Sequence, residues 1–250
     1  FDYMYVPSSW QWEDMGNYYG AGASGITVHE NSMEYVFEAG NRIGKPAKLL
    51  RTEPAMPYLQ NVNNVTTYKR YSGDRVYVYG SPYSNLRLLN GTIPYGSKEF
   101  DVTGAMPDPA YFAAFSFSNY LDTNGIELTF APTTKLQMSW QGEEDDKAPT
   151  IVFTHKSPAL YRIVYYVNMR SNNLFAEALL KMCGKHKYNE GTTYSGTRAV
   201  RAYWAGEGID LEGLAQKDGS GLSRKNVITP AILAGILARY TKHENYDHFY

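Results

Sequence analysis

Near residue 150 the sequence changes its period, from short β-type runs to helical spacing, and a fold must accommodate both halves. Upstream, short runs of β-type residues alternate with turn signals: "GITVHENSMEYVFEAG", "NNVTTYKRY", "DRVYVYGS", "SNLRLLNGTIPYG" and "SKEFDVTG". Residues 34–37 and 76–79 read as strands, and Glu38-Ala39-Gly40 and Asn90-Gly91 as turns. One helix interrupts this half, over residues 108–125, with Pro109 in its first turn and Gly125 just past its end.

Downstream the pattern is helical. Ser157-Pro158 supplies a cap and a first-turn proline, and Leu160, Ile163, Val164 and Val167 follow at i, i+3, i+4, i+7. A second helix places Leu174, Phe175, Ala178, Leu179 and Met182 on one side, with Cys183 read as core. A third covers about residues 196–205, ending at Gly206 and Gly208. A fourth starts at Thr229-Pro230 and buries Ile232, Leu233, Ile236, Leu237 and Tyr240. The sequence shows no internal repeat and no low-complexity tract. The fold class expected is α+β and multidomain.

Composition narrows function mainly by exclusion. The chain of 250 residues is 43% apolar and 20% charged, the balance of a globular protein. A net charge of −1 gives no electrostatic case for nucleic acid or an anionic membrane as partner. The 23 tyrosines suit both half-buried strands and binding surfaces. A single cysteine rules out an intrachain disulfide. No apolar run approaches the ~20 residues of a transmembrane helix, and no signal peptide is present. The start at Phe1 and the end at "NYDHFY" both read as cut.

Metal chemistry has little support. His29, His155, His186, His243 and His248 form no H-E-x-x-H and have no cysteine at ligand spacing. The acidic loop "GEEDDK" lacks the interleaved ligand spacing of a calcium loop and reads as solvated. No phosphate-binding glycine loop and no G-x-S-x-G elbow occurs, so neither cofactor nor metal is expected.

Two stretches carry chemistry. Ser171-Asn172-Asn173 lies at a helix–helix junction, where residues i and i+2 of a non-helical segment share a face. A hydroxyl that relays a proton beside an amide that holds a carbonyl serves acyl transfer. The same residue types are the preferred helix caps, so the residues alone leave both readings open. "DGSGLSR", residues 218–224, offers a tight glycine turn and the planar fork of Arg224 for a carboxylate, or simply a surface turn.

Taken together, S-x-N, a helix, "GT" with a helix, "DGSGLSR" and a proline-started helix resemble the D-alanyl-D-alanine carboxypeptidase/endopeptidase family, the low-molecular-mass class C penicillin-binding proteins of type-4-like kind. "WQWEDMGNYYGAGASG" near the N-terminus is similar to a segment of the domain that these enzymes insert into their catalytic domain. The resemblance is strong at residues 157–240 and 10–25 and weak between about 45 and 110. It implies residues 1–50 and 109–150 as an inserted domain, 51–108 as a small β-rich nested domain, and 151–250 as the helical part of a serine β-lactamase/transpeptidase-like domain. It further implies cleavage of peptidoglycan stem peptides ending in D-Ala-D-Ala, or of cross-links, through a serine ester, together with β-lactam binding and a periplasmic or cell-envelope location. By position, Ser171 matches the serine that passes a proton to the leaving D-alanine. Asn173 matches the asparagine that holds the acyl-side amide. Asp14 and Arg224 match the pair that takes the amine and carboxylate of a diamino-acid side chain, and Tyr19 the aromatic that covers it.

One departure is large. No serine is followed three places on by lysine, and neither Lys-Thr-Gly nor Lys-Ser-Gly occurs, so one of the family's three motifs is present. The expectation is a middle portion of a longer serine peptidase, inactive by itself. The alternative is a non-catalytic module that binds peptidoglycan peptide or an envelope partner on a degenerate scaffold.

Overall fold

The computed structural model describes residues 3–143, 150–151, 153–244 and 246. Most of the "GEEDDK" loop and His248 lie outside the described residues. The chain forms two compact units, one of residues Trp10–Thr133 and the other of Phe1–Ser9 with Thr134–Tyr250. Both helices and sheets are present, and the fold class is α+β.

The Trp10–Thr133 unit begins with the one-turn helix α1 (Trp12–Met15) and continues through six strands to helix α2 (Pro109–Thr123). Strands β1 (Ser32–Glu38), β2 (Lys48–Glu53) and β6 (Phe100–Ala105) form an antiparallel sheet in the order β2-β1-β6. Strands β3 (Gln60–Tyr68), β4 (Arg75–Tyr79) and β5 (Leu86–Pro94) form a second, β3-β5-β4, in which β3 and β5 run parallel. Alternation sets the buried faces: Val76 and Val78 are buried between exposed Arg75 and Tyr77, and Met33, Tyr35 and Phe37 are buried along β1. These side chains join Val65, Leu89, Ile93, Val102 and Phe112 in one core drawn from both sheets and α2. Helix α2 starts as its sequence suggests, with Asp108 accepting the Tyr111 N–H at 2.9 Å and Gly125 at positive φ beyond its end.

Asn90-Gly91 is not a turn. Both residues lie inside β5, opposite Tyr77 and Val76 of β4. Gly91 has φ 137, and a Cβ there would stand 2.1 Å from the Arg75 carbonyl oxygen. The glycine thus admits a close strand, a demand that a short-range turn signal cannot reveal.

The other unit holds α3 (Lys135–Trp140), α4 (Leu160–Arg170), α5 (Asn173–Tyr188), α6 (Thr193–Gly206) and α7 (Pro230–Tyr240). Helices α5 and α6 cross closely at two glycines. A Cβ at Gly184 would meet Ser195 Oγ at 2.3 Å, and one at Gly196 would meet the Leu180 carbonyl oxygen at 2.3 Å. Helix α6 starts earlier than its apolar pattern suggests, because Thr192 caps it through the Ser195 N–H at 2.9 Å.

Several readings of this half are corrected. Helix α4 starts at Leu160 with Ala159 as its cap, not at Ser157-Pro158. Its Leu160 and Val164 are exposed, and no residue of α4 is buried among the described residues. On α5 the buried stripe is Leu174, Glu177, Leu180, Lys181 and Gly184, whereas Met182 and Cys183 are exposed. On α7 only Ile232 is buried, and Leu233 and Leu237 are exposed. Periodicity found α4, α5, α6 and α7 but not the short α3, and it gave neither the starts of α4 and α6 nor the rotation of α5 and α7, since a satisfied Glu or Lys can occupy a buried stripe that spacing alone assigns to Leu or Met.

Candidate functional site

Helices α4 and α5 meet at a junction of two residues. Ser171 ends α4 in the left-handed conformation, φ 52 and ψ 46, with its N–H on the Val167 carbonyl. Asn172 is extended and caps α5, its Oδ1 accepting the Phe175 N–H at 3.0 Å. Asn173 is the first residue of α5. The N-cap of α5 is therefore Asn172, while Ser171 closes the C-terminus of α4 through its backbone. The non-helical segment is limited to Ser171 and Asn172, because Asn173 is already helical and Ser171 is left-handed. A non-glycine residue seldom takes that conformation, and such residues cluster at functional sites. Ser171 is exposed and Asn173 half-buried.

The "DGSGLSR" stretch is a closed loop. Ala215 and Val227 exchange backbone hydrogen bonds at 2.8 and 2.9 Å across its neck. Asp218, 2% exposed, is its hub. Its Oδ1 accepts from the Gly221 N–H at 3.0 Å and from Asn226 Nδ2 at 2.7 Å, and its Oδ2 accepts from the Ser223 N–H at 2.6 Å. Gly221 takes φ 83. At Gly219 a Cβ would stand 2.6 Å from the Ala176 carbonyl oxygen of α5. Arg224 extends from this loop and is exposed.

A buried carboxylate fastens the loop to the helix that Asn173 begins. Glu177 Oε1 accepts the N–H groups of Gly219 and Ser220, each at 2.8 Å. The side chain is fully buried, and burial raises its carboxyl above the usual range even though Ser220 and Gly219 donate to it. Four residues on, Lys181 is equally buried, and its Nζ donates to the Met4 carbonyl at 2.9 Å. Glu177, Lys181 and Asp218 were missed from sequence. The available signal was a Glu and a Lys on an otherwise apolar helical stripe, and an aspartate opening a D-G-S-G turn.

Asp14 and Tyr19 belong to the Trp10–Thr133 unit. Tyr19 Oη donates to Asp14 Oδ1 at 3.3 Å, and Asp14 is 8% exposed. Burial, then the adjacent Asp14 carboxylate, push the Tyr19 phenol up to about 12. The phenol is therefore a neutral donor throughout the physiological range. Asn17 holds this turn to the sheet: its Oδ1 accepts the Val78 N–H at 3.1 Å and its Nδ2 donates to the Glu13 carbonyl at 2.6 Å. Gly16 and Gly20 admit the necessary contacts, since Cβ atoms there would stand 2.0 Å from the Val78 carbonyl oxygen and 2.1 Å from that of Asp14. Trp12 packs on Tyr79 at 5.0 Å while remaining 58% exposed. A nearly buried carboxylate with aromatic rings around it is chemistry for an ammonium group.

The structure thus brings Asp14 to Tyr19, and Ser171 to the start of the helix that anchors the Arg224 loop. Among the described residues no three His, Cys, Asp or Glu side chains are grouped to hold a metal ion, and no helix is long and apolar enough to cross a membrane.

Comparison with known proteins agrees along the whole length. The D-Ala-D-Ala carboxypeptidase 3 (S13) family matches residues 1–250. Penicillin-sensitive carboxypeptidase A of Dictyostelium discoideum is 27% identical over 98% of this chain and 47% of its own length. A D-alanyl-D-alanine carboxypeptidase of Actinomadura sp. (strain R39) is 26% identical over 96% of this chain and 44% of its own. Among solved structures, penicillin binding protein 4 (dacB) of Haemophilus influenzae superposes with a TM-score of 0.73 at 19% identity, covering 99% of this chain and 52% of that one. The same protein complexed with a β-lactam superposes with a TM-score of 0.69 at 20% identity, covering 90% and 50%. The chain spans about half the length of the curated relatives it matches.

Proposed function

The chain belongs to the D-Ala-D-Ala carboxypeptidase 3 (S13) family, and from that premise we propose that it is part of a serine carboxypeptidase or endopeptidase that cleaves D-Ala-D-Ala stem peptides or cross-links of peptidoglycan and binds β-lactams. The observation that carries this reading is the α4–α5 junction. There a left-handed Ser171 stands exposed beside Asn173, while Asn172 takes over the capping.

In this reading Ser171 passes a proton to the leaving D-alanine nitrogen, and the Asn173 amide holds the acyl-side carbonyl. The attacking serine and its lysine lie in a Ser-x-x-Lys motif that this sequence does not contain. Asp14 takes the ammonium of a diamino-acid side chain at the third stem position, Tyr19 covers its methylenes, and Arg224 takes its carboxylate. The setting is the periplasm or cell envelope. Residues 1–50 and 109–150 act as an inserted domain, 51–108 as a nested one, and 151–250 as the helical portion of the penicillin-binding domain.

Labelling of the full-length parent with fluorescent penicillin tests the reading. Covalent labelling, with hydrolysis of a D-Ala-D-Ala peptide lost in Ser171→Ala, supports it. A parent that neither labels nor responds to Ser171→Ala overturns it.

A second reading rests on the missing Ser-x-x-Lys: a module that binds stem peptide without turnover. Calorimetry would then give binding to the 250-residue chain that Asp14→Ala abolishes. A Ser-x-x-Lys elsewhere in the parent sequence removes this reading.

A further inference from the structure

The chain-wide charge of −1 conceals a strong asymmetry. Residues 41–98 carry nine Lys or Arg against two Asp or Glu, and the remainder of the chain carries 15 against 23. Arg87 is buried, and Arg51 is paired to Glu53 and Glu99 at 2.6 and 2.8 Å. Lys48 stands opposite Glu38 in the β1–β2 register. The other six, Arg42, Lys45, Lys69, Arg70, Arg75 and Lys98, are exposed and have no carboxylate within ion-pair distance among the described residues.

The fold gathers these six at one end of the sheets. The Gly44 N–H donates to the Thr67 carbonyl and the Thr67 N–H to the Lys45 carbonyl, each at 2.8 Å. The Tyr95 N–H donates to Tyr68, and the Ala39 N–H to Ser97, both at 2.9 Å. Segments 42–45, 67–71 and 95–98 therefore run side by side. Several of the cations rest on rings: Lys69 and Arg75 lie over Tyr68 at 5.8 and 5.6 Å, and Arg70 over Tyr95 at 5.5 Å. Between Arg70, Tyr71 and the Tyr95–Ser97 turn opens a cleft of about 600 Å³. The acids bordering these tips are Asp74, whose carboxylate accepts the Val76 N–H at 2.9 Å, Glu99, which pairs with Arg51 at 2.8 Å, and Glu38, opposite Lys48 in the β1–β2 register.

Each of two adjacent tips also lifts one apolar side chain into solvent between its cations. Ile43, flanked by Arg42 and Lys45, is 55% exposed, and Tyr71, beside Lys69 and Arg70, is 95% exposed. Tyr71 holds φ 60, a backbone state that bulky residues seldom take. A soluble polyanion would account for the cations but gains nothing from a bare isoleucine. A lipid surface uses both, since apolar and aromatic tips enter the headgroup boundary while Lys and Arg meet anionic headgroups.

We propose that this end of the Trp10–Thr133 unit docks on an anionic lipid bilayer, with Ile43 and Tyr71 entering the headgroup region and Arg42, Lys45, Lys69 and Arg70 above the lipid phosphates. The surface is independent of the peptidase reading and involves none of its residues.

Flotation of the 250-residue chain with phosphatidylglycerol–phosphatidylcholine vesicles, and with phosphatidylcholine vesicles alone, tests the proposal. Binding to the anionic vesicles only, lost near 1 M salt where the screening length falls to ~3 Å, is the expected result. Lys69→Glu with Arg70→Glu weakens partitioning by more than about 25-fold, at about fivefold per cation removed. Ile43→Ser with Tyr71→Ser leaves the charge intact and also weakens vesicle binding. All four side chains are exposed, so unchanged thermal unfolding of both double variants is the control for folding. Equal binding to both vesicle types, or to the wild type and both variants, overturns the proposal. So does tight binding to soluble polyphosphate combined with an Ile43/Tyr71 variant that still floats normally, which would make the patch a polyanion site instead.

Discussion

Glu177 accepts the backbone N–H of Gly219 at 2.8 Å, joining the buried face of α5 to a loop 42 residues further on. The same oxygen accepts the Ser220 N–H, so one carboxylate fixes the loop that carries Arg224 against the helix that Asn173 begins. Glu177→Ala strands two buried donors and is expected to lower stability by about 2–5 kcal/mol. Amide hydrogen exchange checks it: the Gly219 and Ser220 protons lose protection first. The pH dependence has a definite sign. Burial raises the Glu177 carboxyl, so the folded state favours the protonated form. Its contribution to stability is largest below the unfolded carboxyl range and declines as pH rises through the raised value. Urea unfolding between about pH 4 and 8 has this component in wild type and lacks it in Glu177→Gln.

Gly16 is the tightest constraint on the Asp14 turn. A Cβ 2.0 Å from the Val78 carbonyl oxygen forces α1 away from β4. Gly16→Ala is expected to cost about 3 kcal/mol or more, with loss of exchange protection at the Val78 amide that Asn17 accepts. Asn17→Ala gives a milder loss of about 1–3 kcal/mol, because it leaves that buried amide unpaired without a clash.

Two glycines of α6 are predicted to respond in opposite directions. Gly196→Ala drives a methyl into the Leu180 carbonyl, 2.3 Å away, and separates α5 from α6. Gly206 ends the same helix with nothing within 4 Å of its Cβ position. Gly206→Ala is therefore expected to raise stability by up to about 1 kcal/mol through helix propensity. Thermal unfolding of the two variants separates close packing from backbone entropy.

Tyr35 is wholly buried, and its hydroxyl has no hydrogen-bond partner among the described residues. Burial pushes its phenol up to about 12. The folded state thus holds the neutral form, and stability present below the ordinary tyrosine range of ~10 is lost as pH rises through that raised value. Tyr35→Phe removes an unsatisfied polar atom. The expected result is a change between none and about +1 kcal/mol at neutral pH, with a smaller loss near pH ~11. Urea midpoints at the two pH values decide it.

The strands at 34–37 and 76–79 and the caps at Asp108 and Thr229 were legible because their causes are local: alternation, a proline, a side-chain oxygen three residues from an amide. Asn90-Gly91 misled because a local turn signal coincided with a glycine required by the β4 backbone. Cys183 and Met182 misled because Glu177 and Lys181 hold the buried stripe, and whether a buried charge finds partners depends on residues far along the chain, here Gly219, Ser220 and Met4. Of the candidate site, Ser171, Asn173, Asp14, Tyr19 and Arg224 were named from spacing and resemblance, whereas Asn17, Glu177 and Asp218, which hold their surroundings, were not.

By itself the sequence determined the class of the fold, the starts of α2 and α7 at their proline-marked caps, and the family, since these follow from period, cap chemistry and motif order. Tertiary structure alone decided which face of each helix is buried and that Asn172, not Ser171, caps α5. It also decided that cations scattered from Arg42 to Lys98 share one end of a sheet unit. The reason is physical: burial, close backbone approach and summed charge are properties of groups brought together from distant positions, and a linear pattern carries only the part of them that neighbours can express.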